Sequence, residues 1–289
     1  MKILLVSFIY LEVEKYLEDF IKSIKQQTYL NFDVLIYNDG ANTTQLQSLK
    51  CKILNNVEKY GIVELRRAAI VYAIEKDYDL LVFADSDDLM GIDRMNEIVN
   101  AYDSKISFFY NNLFLLGKNK DFYAGKLPDK ICNVDKLKNS NFLGMSHTAI
   151  NIKKEKKILS EMPLFKDLIA FDWFLYSYIL INGGVGIKVD TKTFYRIHEN
   201  NIAGEVDNIT FLKLDTGIKV KKMHYKAMCK LDVSYIELLN QIEKLEERIK
   251  NKEFLEKYIY LINKEASENK FWWGNIKFIS EIEGGKYDN

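Results

Sequence analysis

Apolar and polar positions along the first hundred residues alternate between two periods. Lys2 to Ser7 is a short, almost continuously apolar run, the mark of a strand covered on both faces. Tyr16, Leu17, Phe20, Ile21 and Ile24 then recur at helical spacing with charges between them. Phe32 to Tyr37 (FDVLIY) predicts a second strand, closed by the turn signal Asn38-Asp39-Gly40. Cys51 to Leu54 predicts a short third strand. Glu64 to Glu75 carries Leu65, Ala68, Ala69, Tyr72 and Ala73 on one helical face. Leu80 to Ala84 (LLVFA) is again strand-like, ends in Asp85-Ser86-Asp87-Asp88, and is followed by a helix from about Ile92 to Ala101. Strands and helices in alternation with short connections imply an α/β fold with a mostly parallel central sheet and right-handed crossovers. In such sheets ligands bind beyond the carboxyl ends of the strands, where both acidic turns fall.

From Ser104 to Thr193 the pattern is mixed. Ile106 to Tyr110, Asn112 to Leu116 and Val185 to Val189 read as strands, and Ile169 to Ile181 as a buried aromatic helix stopped by Asn182-Gly183-Gly184. Beyond about Asp207 the chain becomes a charged helical tail. Leu238, Ile242, Leu245 and Ile249 step by four, three and four, which fits either a helix packed on the main domain or a homodimer seam. The expected division is 1–206, made of halves 1–103 and 104–206, and a helical C-terminal extension over 207–289.

The 289 residues carry 41 basic and 41 acidic side chains, a balance that argues against nucleic-acid binding by bulk charge. Cys51, Cys132 and Cys229 lie far apart, so neither a disulfide framework nor a zinc knuckle is expected. No leader with a cleavage site and no spanning segment is expected either, which points to a cytoplasmic protein, peripheral contact with the inner face of a membrane staying open.

Asp85-Ser86-Asp87-Asp88 is the most informative stretch. Carboxylates crowded at a strand end repel one another, and a bound divalent cation relieves that repulsion. Such an ion, with open positions, grips diphosphate oxygens. The alternative is an acidic turn capping the next helix.

Lys15-Tyr16-Leu17, Gln27-Thr28-Tyr29, Asn38-Asp39-Gly40-Ala41, Gly61 with Arg66, and Asp85-Ser86-Asp87-Asp88 come in one order. With these five, the stretch from Val6 to Asp88 resembles the nucleotide-binding half of family 2 glycosyltransferases of the GT-A fold, and the likeness extends to about residue 205. It implies a Rossmann-like domain that moves a sugar, from a UDP-sugar above all, to an acceptor hydroxyl with inversion. Asp39 would accept the base N–H, Arg66 would sit near the nucleotide or diphosphate, Asp85 would lie near the ribose and metal, Ser86 would belong to the nucleotide site, and Asp87 would ligate Mn²⁺ or Mg²⁺ directly. Ile9, Leu11 and Glu12 stand where the family has Pro, Tyr and Asn, so Ile9 and Leu11 fall on the nucleotide, with Tyr10 the candidate replacement aromatic. Asp172, in Phe171-Asp172-Trp173, would be the general base; an Asp held by a buried Arg or a helix N-terminus is the alternative. Tyr195-Arg196-Ile197-His198-Glu199-Asn200-Asn201 resembles the closing motif, in which His198 completes the metal site. His147 and His224 read as structural.

Two rivals stay open. A nucleotidyltransferase would carry a Gly-bearing phosphate loop where Ser7 to Tyr16 has no Gly, and a non-catalytic nucleotide-sugar-binding or scaffold module would keep the fold without turnover. Lys219, Lys221, Lys222, Lys226 and Lys230 form either a solvated face or a dock for anionic head groups. Phe271-Trp272-Trp273-Gly274, flanked by Lys270 and Lys277, is either an anchor for the tail or a membrane or sugar contact. Carbohydrate, lipid-linked and protein acceptors are all compatible with the sequence.

Overall fold

Ile3–Tyr10 forms β1, buried from Ile3 to Ile9, as a run with no polar alternation requires of a strand covered on both faces. In the computed structural model, which describes residues 1–118, 120–198, 209–265 and 271–283, β1 pairs in parallel with β2 (Asp33–Asp39) and with β4 (Leu80–Phe83), and β2 pairs in parallel with β3 (Lys52–Asn55). The helices α1 (Leu17–Lys25) and α2 (Ile62–Glu75) form the crossovers. Leu17, Phe20, Ile21 and Ile24 of α1 are buried, and all four join the core cluster that includes Ile3, Leu5, Val34, Ile36 and Val82.

Past β4 the sheet becomes mixed. The strands β5 (Leu89–Met90), β6 (Phe108–Leu115), β7 (Lys120–Asp121), β8 (Lys130–Ile131), β9 (Thr148–Asn151) and β10 (Gly186–Tyr195) complete an order β3-β2-β1-β4-β9-β6-β10-β5, with β7 on β6 and β8 on β10. β9 lies antiparallel between β4 and β6, because it is reached through a long non-helical return instead of a helical crossover. The parallel expectation therefore holds for β1 to β4 and for the β6–β10 pair. The helices α3 (Arg94–Asn100) and α4 (Ile152–Glu161) follow β5 and β9.

Two boundaries differ from the sequence reading. One strand, Phe108–Leu115, takes the place of the two expected over Ile106 to Tyr110 and Asn112 to Leu116: Asn111, which reads as a break, is buried and donates to Thr193 Oγ1 at 3.0 Å. The strand at Val185 runs on to Tyr195 through an irregularity between Lys188 and Lys192.

The chain divides into two compact units, Met1–Asn133 with Leu143–Lys166 and Tyr178–Arg196, and Val134–Phe142 with Asp167–Ser177 and Ile197–Asn289. The sheet belongs to the first. The second holds the start of α5 (Phe171–Ile181), then α6 (Phe211–Met228), α7 (Tyr235–Arg248), α8 (Lys252–Glu265) and α9 (Ile279–Glu283).

The tail's motifs turn inward. Ile242, Leu245 and Ile249 are buried within this unit, so the seam is already covered. Of the basic run, Lys221 is fully buried and donates to the Ile276 carbonyl at 2.6 Å, Lys222 and Lys226 face Glu246 and Glu243 of α7, and Lys219 pairs with Asp215. That leaves little unpaired charge for an anionic surface. Trp272 pairs with Asn141 in a β-bridge, Phe271 packs on Phe142, and Ile276 fits against Gly217. The aromatic segment is an anchor. Lys270 of its flank lies outside the described residues.

His224 is buried, its ring stacked on Trp173 at 4.1 Å, with neither ring nitrogen hydrogen-bonded. Burial, with Lys221 adding to it, pushes its pKa from 6.5 to about 3, while burial brings Lys221 down to about 7 against an opposing pull from Glu281. Below about pH 6.5 the unfolded chain binds a proton at His224 that the folded chain refuses, so stability falls as the pH drops toward 3. The urea midpoint should decline between pH 6.5 and 4, and His224→Phe, which keeps an aromatic on Trp173, should flatten that decline. A second test concerns the sheet. A methyl at Gly186 would lie 2.1 Å from the Phe108 ring, which is fully buried. Gly186→Ala should cost about 1–3 kcal/mol by overpacking, read from urea unfolding.

Candidate active site

In the first unit, the carboxyl ends of three neighbouring parallel strands bring most of the expected donor-side residues together. Tyr10 at the end of β1 is in register with Asp39 at the end of β2. β4 pairs with β1 through Val6–Phe83, and the acidic turn follows directly. Within that turn orientation alternates: Ser86 and Asp88 are buried, Asp85 and Asp87 half-exposed.

The buried pair are anchors. Ser86 Oγ donates to the Phe8 carbonyl at 2.8 Å, so its side chain is turned into the protein. Asp88 accepts from Ser146 Oγ and, at 2.8 Å, from the Arg196 backbone N–H. Burial, then the charges of Asp87 and Asp85, holds the Asp88 carboxyl well above the usual carboxylate range. The half-exposed pair are what a ligand would meet. Their field, after burial, pushes the Tyr10 phenol up to about 12, while Arg66 pulls it the other way. Tyr10, Asp85, Asp87 and Arg66 thus share one electrostatic environment. Among the described residues, no hydrogen-bond acceptor meets the buried Arg66 Nε.

Asp39 is held from the side. Asn56 donates to Asp39 Oδ1 at 2.9 Å and to the Tyr60 carbonyl at 2.9 Å, and accepts from the Tyr60 N–H at 2.8 Å. Sequence reasoning missed Asn56, although an Asn just past a short strand is a recognisable turn signal. Ile9 and Leu11 part company: Ile9 is fully buried in the core, Leu11 is 65% exposed, and Tyr10 between them is the residue beside the acidic pair. Gln27 donates to the Gly91 carbonyl at 2.8 Å and accepts from Met95 N–H at 3.0 Å, so that part of the motif set pins α1 to the chain after the acidic turn.

In the second unit, Asp172 lies in the first turn of α5 and is half-exposed, while Phe171, Trp173, Phe174 and Tyr176 are buried. Its Oδ1 accepts the Trp173 N–H at 2.8 Å. His198 is half-buried, and residues 199–201 of its motif lie outside the described residues. His147 is buried beside the Tyr123 hydroxyl, 3.4 Å away, as a structural residue would be.

Among the described residues no three His, Cys, Asp or Glu side chains surround a common cation position. A hard-oxygen pair such as Asp85 and Asp87 nonetheless fits Mg²⁺ or Mn²⁺, which take one or two carboxylates and complete their shell from substrate phosphates.

This architecture is the GT-A fold, shared with TarS of S. aureus in complex with UDP (TM-score 0.52, 14% identity, 87% of this chain and 73% of that one). It is shared too with the mannosyltransferase PcManGT of Pyrobaculum calidifontis in complex with GDP-Man and Mn²⁺ (TM-score 0.54, 14% identity, 91% and 71%). Residues 5–148 match the model of glycosyl transferase family 2, and the chain carries a glycosyltransferase domain of that family. A curated relative, the dTDP-rhamnosyl transferase RfbG of Shigella flexneri, is 26% identical over 222 residues, 68% of this chain and 73% of the relative.

Asn56 makes three bonds with one buried side chain. Asn56→Ala should lower stability by about 1–3 kcal/mol, the cost of stranded partners, and weaken nucleotide binding, checked by urea unfolding and calorimetric titration.

Proposed function

We propose that the protein transfers a sugar from a nucleoside-diphosphate donor to an acceptor hydroxyl, with a divalent cation at the acidic turn and inversion in a single displacement. The observation that carries this is the pair of half-exposed carboxylates, Asp85 and Asp87, beside Tyr10 and Arg66 at the strand ends, one strand from Asp39. The donor nucleotide would lie across these ends. Asp39 would accept the imide N–H of a pyrimidine base, its carboxylate oriented by Asn56. A UDP-sugar and a dTDP-sugar offer the same imide, and relatives or neighbours are named for both nucleotides. Arg66 would neutralise diphosphate charge, its buried Nε meeting no acceptor among the described residues.

A bound Mn²⁺ or Mg²⁺ would counter the charge that develops on the leaving diphosphate. Asp87 would be its direct ligand, Asp85 would contact it or the ribose, and His198 is the further candidate ligand. Asp172 would take the proton of the acceptor hydroxyl as that oxygen attacks the anomeric carbon. Its half-exposed place at the first turn of an otherwise buried helix supports that role. The acceptor we propose is a carbohydrate hydroxyl, as in surface polysaccharide synthesis.

The test is release of free nucleoside diphosphate from UDP-, dTDP- and GDP-sugars with Mn²⁺, alongside thermal stabilisation by the same nucleotides. One donor should be turned over in a metal-dependent way. Asp172→Asn should lose about 10²–10⁴-fold in turnover while still binding nucleotide, and Asp87→Ala should lose the metal dependence. Stabilisation by nucleotide with no turnover for any donor or added carbohydrate would favour a binding module. Neither signal from any nucleotide would overturn the proposal.

A further inference from the structure

Arg196, the residue after β10, makes two directed contacts with the acidic turn. Its backbone N–H donates to Asp88 Oδ1 at 2.8 Å and its Nε donates to the Asp87 carbonyl at 2.8 Å. Its Nη2 reaches Asp19 Oδ2 at 3.0 Å, and the guanidinium lies over the Tyr16 ring, 4.4 Å from its centroid. One side chain thus joins the end of β10, the acidic turn and the start of α1.

The turn needs such a tie. Asp85 and Asp87 are like charges, and Asp87 stands between the two buried residues Ser86 and Asp88. Ser86 is fixed through Phe8, and Asp88 through Ser146 and Arg196. Asp87 sits between them, and its carbonyl is held by Arg196 Nε. Fixing that carbonyl fixes the peptide plane and so the direction in which the Asp87 side chain leaves the backbone.

We infer that Arg196 is a positioning residue, which aims the Asp87 carboxylate at the cation by clamping the Asp87 carbonyl from one side and Asp19 and Tyr16 from the other. This rests on the reading of Asp87 as a metal ligand. The clamp uses the planar fork of arginine: Nε and Nη2 point at different acceptors at once, which a lysine ammonium on a flexible stem does not reproduce. Charge alone is therefore not what Arg196 contributes.

The experiment measures UDP and dTDP affinity of the whole chain by calorimetry, without metal and with saturating Mn²⁺, and takes the ratio of the two as the metal coupling. That ratio is read within the folded protein, so a residue with a merely structural role does not move it. Wild type should show a ratio well above one. Arg196→Gln and Arg196→Lys should each lower the ratio about tenfold, the usual effect of losing a group that orients a ligand, while affinity without metal stays near wild type. Failure of lysine to rescue separates geometry from charge. Should either Arg196 variant not fold, as circular dichroism would report, Asp19→Asn removes just the outer anchor from a 60% exposed side chain and should lower the ratio in the same direction by less. A wild-type ratio in any folded Arg196 variant, or in Asp19→Asn when neither Arg196 variant folds, overturns the inference alone. No metal enhancement in wild type for either nucleotide overturns the metal reading and the inference with it.

Discussion

Four polar residues in a row after a fully buried strand cannot all reach water, and the donor-side architecture depends on how that conflict is resolved. The buried run of β4 ends at Phe83 and Ala84, 1% and 3% exposed, and the four side chains after Ala84 are Asp, Ser, Asp and Asp. Alternation divides them. The buried half needs partners from elsewhere, because an unpaired carboxylate inside a protein costs several kcal/mol. Ser86 finds one on β1, and Asp88 finds two, on the turn before β9 and at the end of β10. Those same bonds tie strands distant in sequence to one point. The other two, Asp85 and Asp87, are half-exposed like charges close together in the chain, and a bound cation would relieve their repulsion.

Legibility in the sequence followed the reach of each interaction. β1, β2 and β4 announced themselves because a strand buried on both faces must be apolar throughout, and the turns at their ends because acids and glycine concentrate there. Residues whose role depends on distant partners were harder. Asp88 looked like a third metal acid, yet its carboxyl is spent on Ser146 and Arg196. Arg94, fully buried with hydrogen bonds to the Phe83 and Thr148 carbonyls at 2.9 and 3.3 Å, carried no local cue at all. A buried arginine cannot be seen from its neighbours in sequence. Asn111 misled for the same reason, since Thr193 lies 82 positions away.

The tail shows where composition misleads. Five lysines around one histidine suggest a solvated or lipid-facing surface, but helical spacing puts Lys221 and His224 three apart on one face of α6, and that face is buried. Lys222 and Lys226 are drawn to glutamates of α7 and Lys219 to Asp215 on its own helix. Gly217 on the same helix lets Ile276 approach to a distance that a side chain would block. A buried ammonium and an imidazole without hydrogen bonds are costly, and the aromatic packing of Trp173, Tyr225, Tyr235 and Phe278 around them offsets that cost.

Asp172 poses the sharpest question of role, because two physical accounts predict the same position. A carboxylate in the first turn of a helix is favoured by the exposed N–H groups there, whatever else it does. A general base needs contact with solvent and acceptor, and would be spoiled by burial among aromatics. The two accounts differ in what surrounds the residue. A carboxylate retained for helix stability alone would be indifferent to the character of its flanks. Here Phe171 and Trp173 are buried on either side, and Trp173 is fixed by its indole N–H to the Leu137 carbonyl at 2.6 Å and by the stacked His224 ring. Helix stability needs no such scaffold for one exposed side chain. For a carboxylate that has to meet a reacting hydroxyl, the role we propose for Asp172, rigid packing beneath the group would hold its geometry to within a few tenths of an ångström.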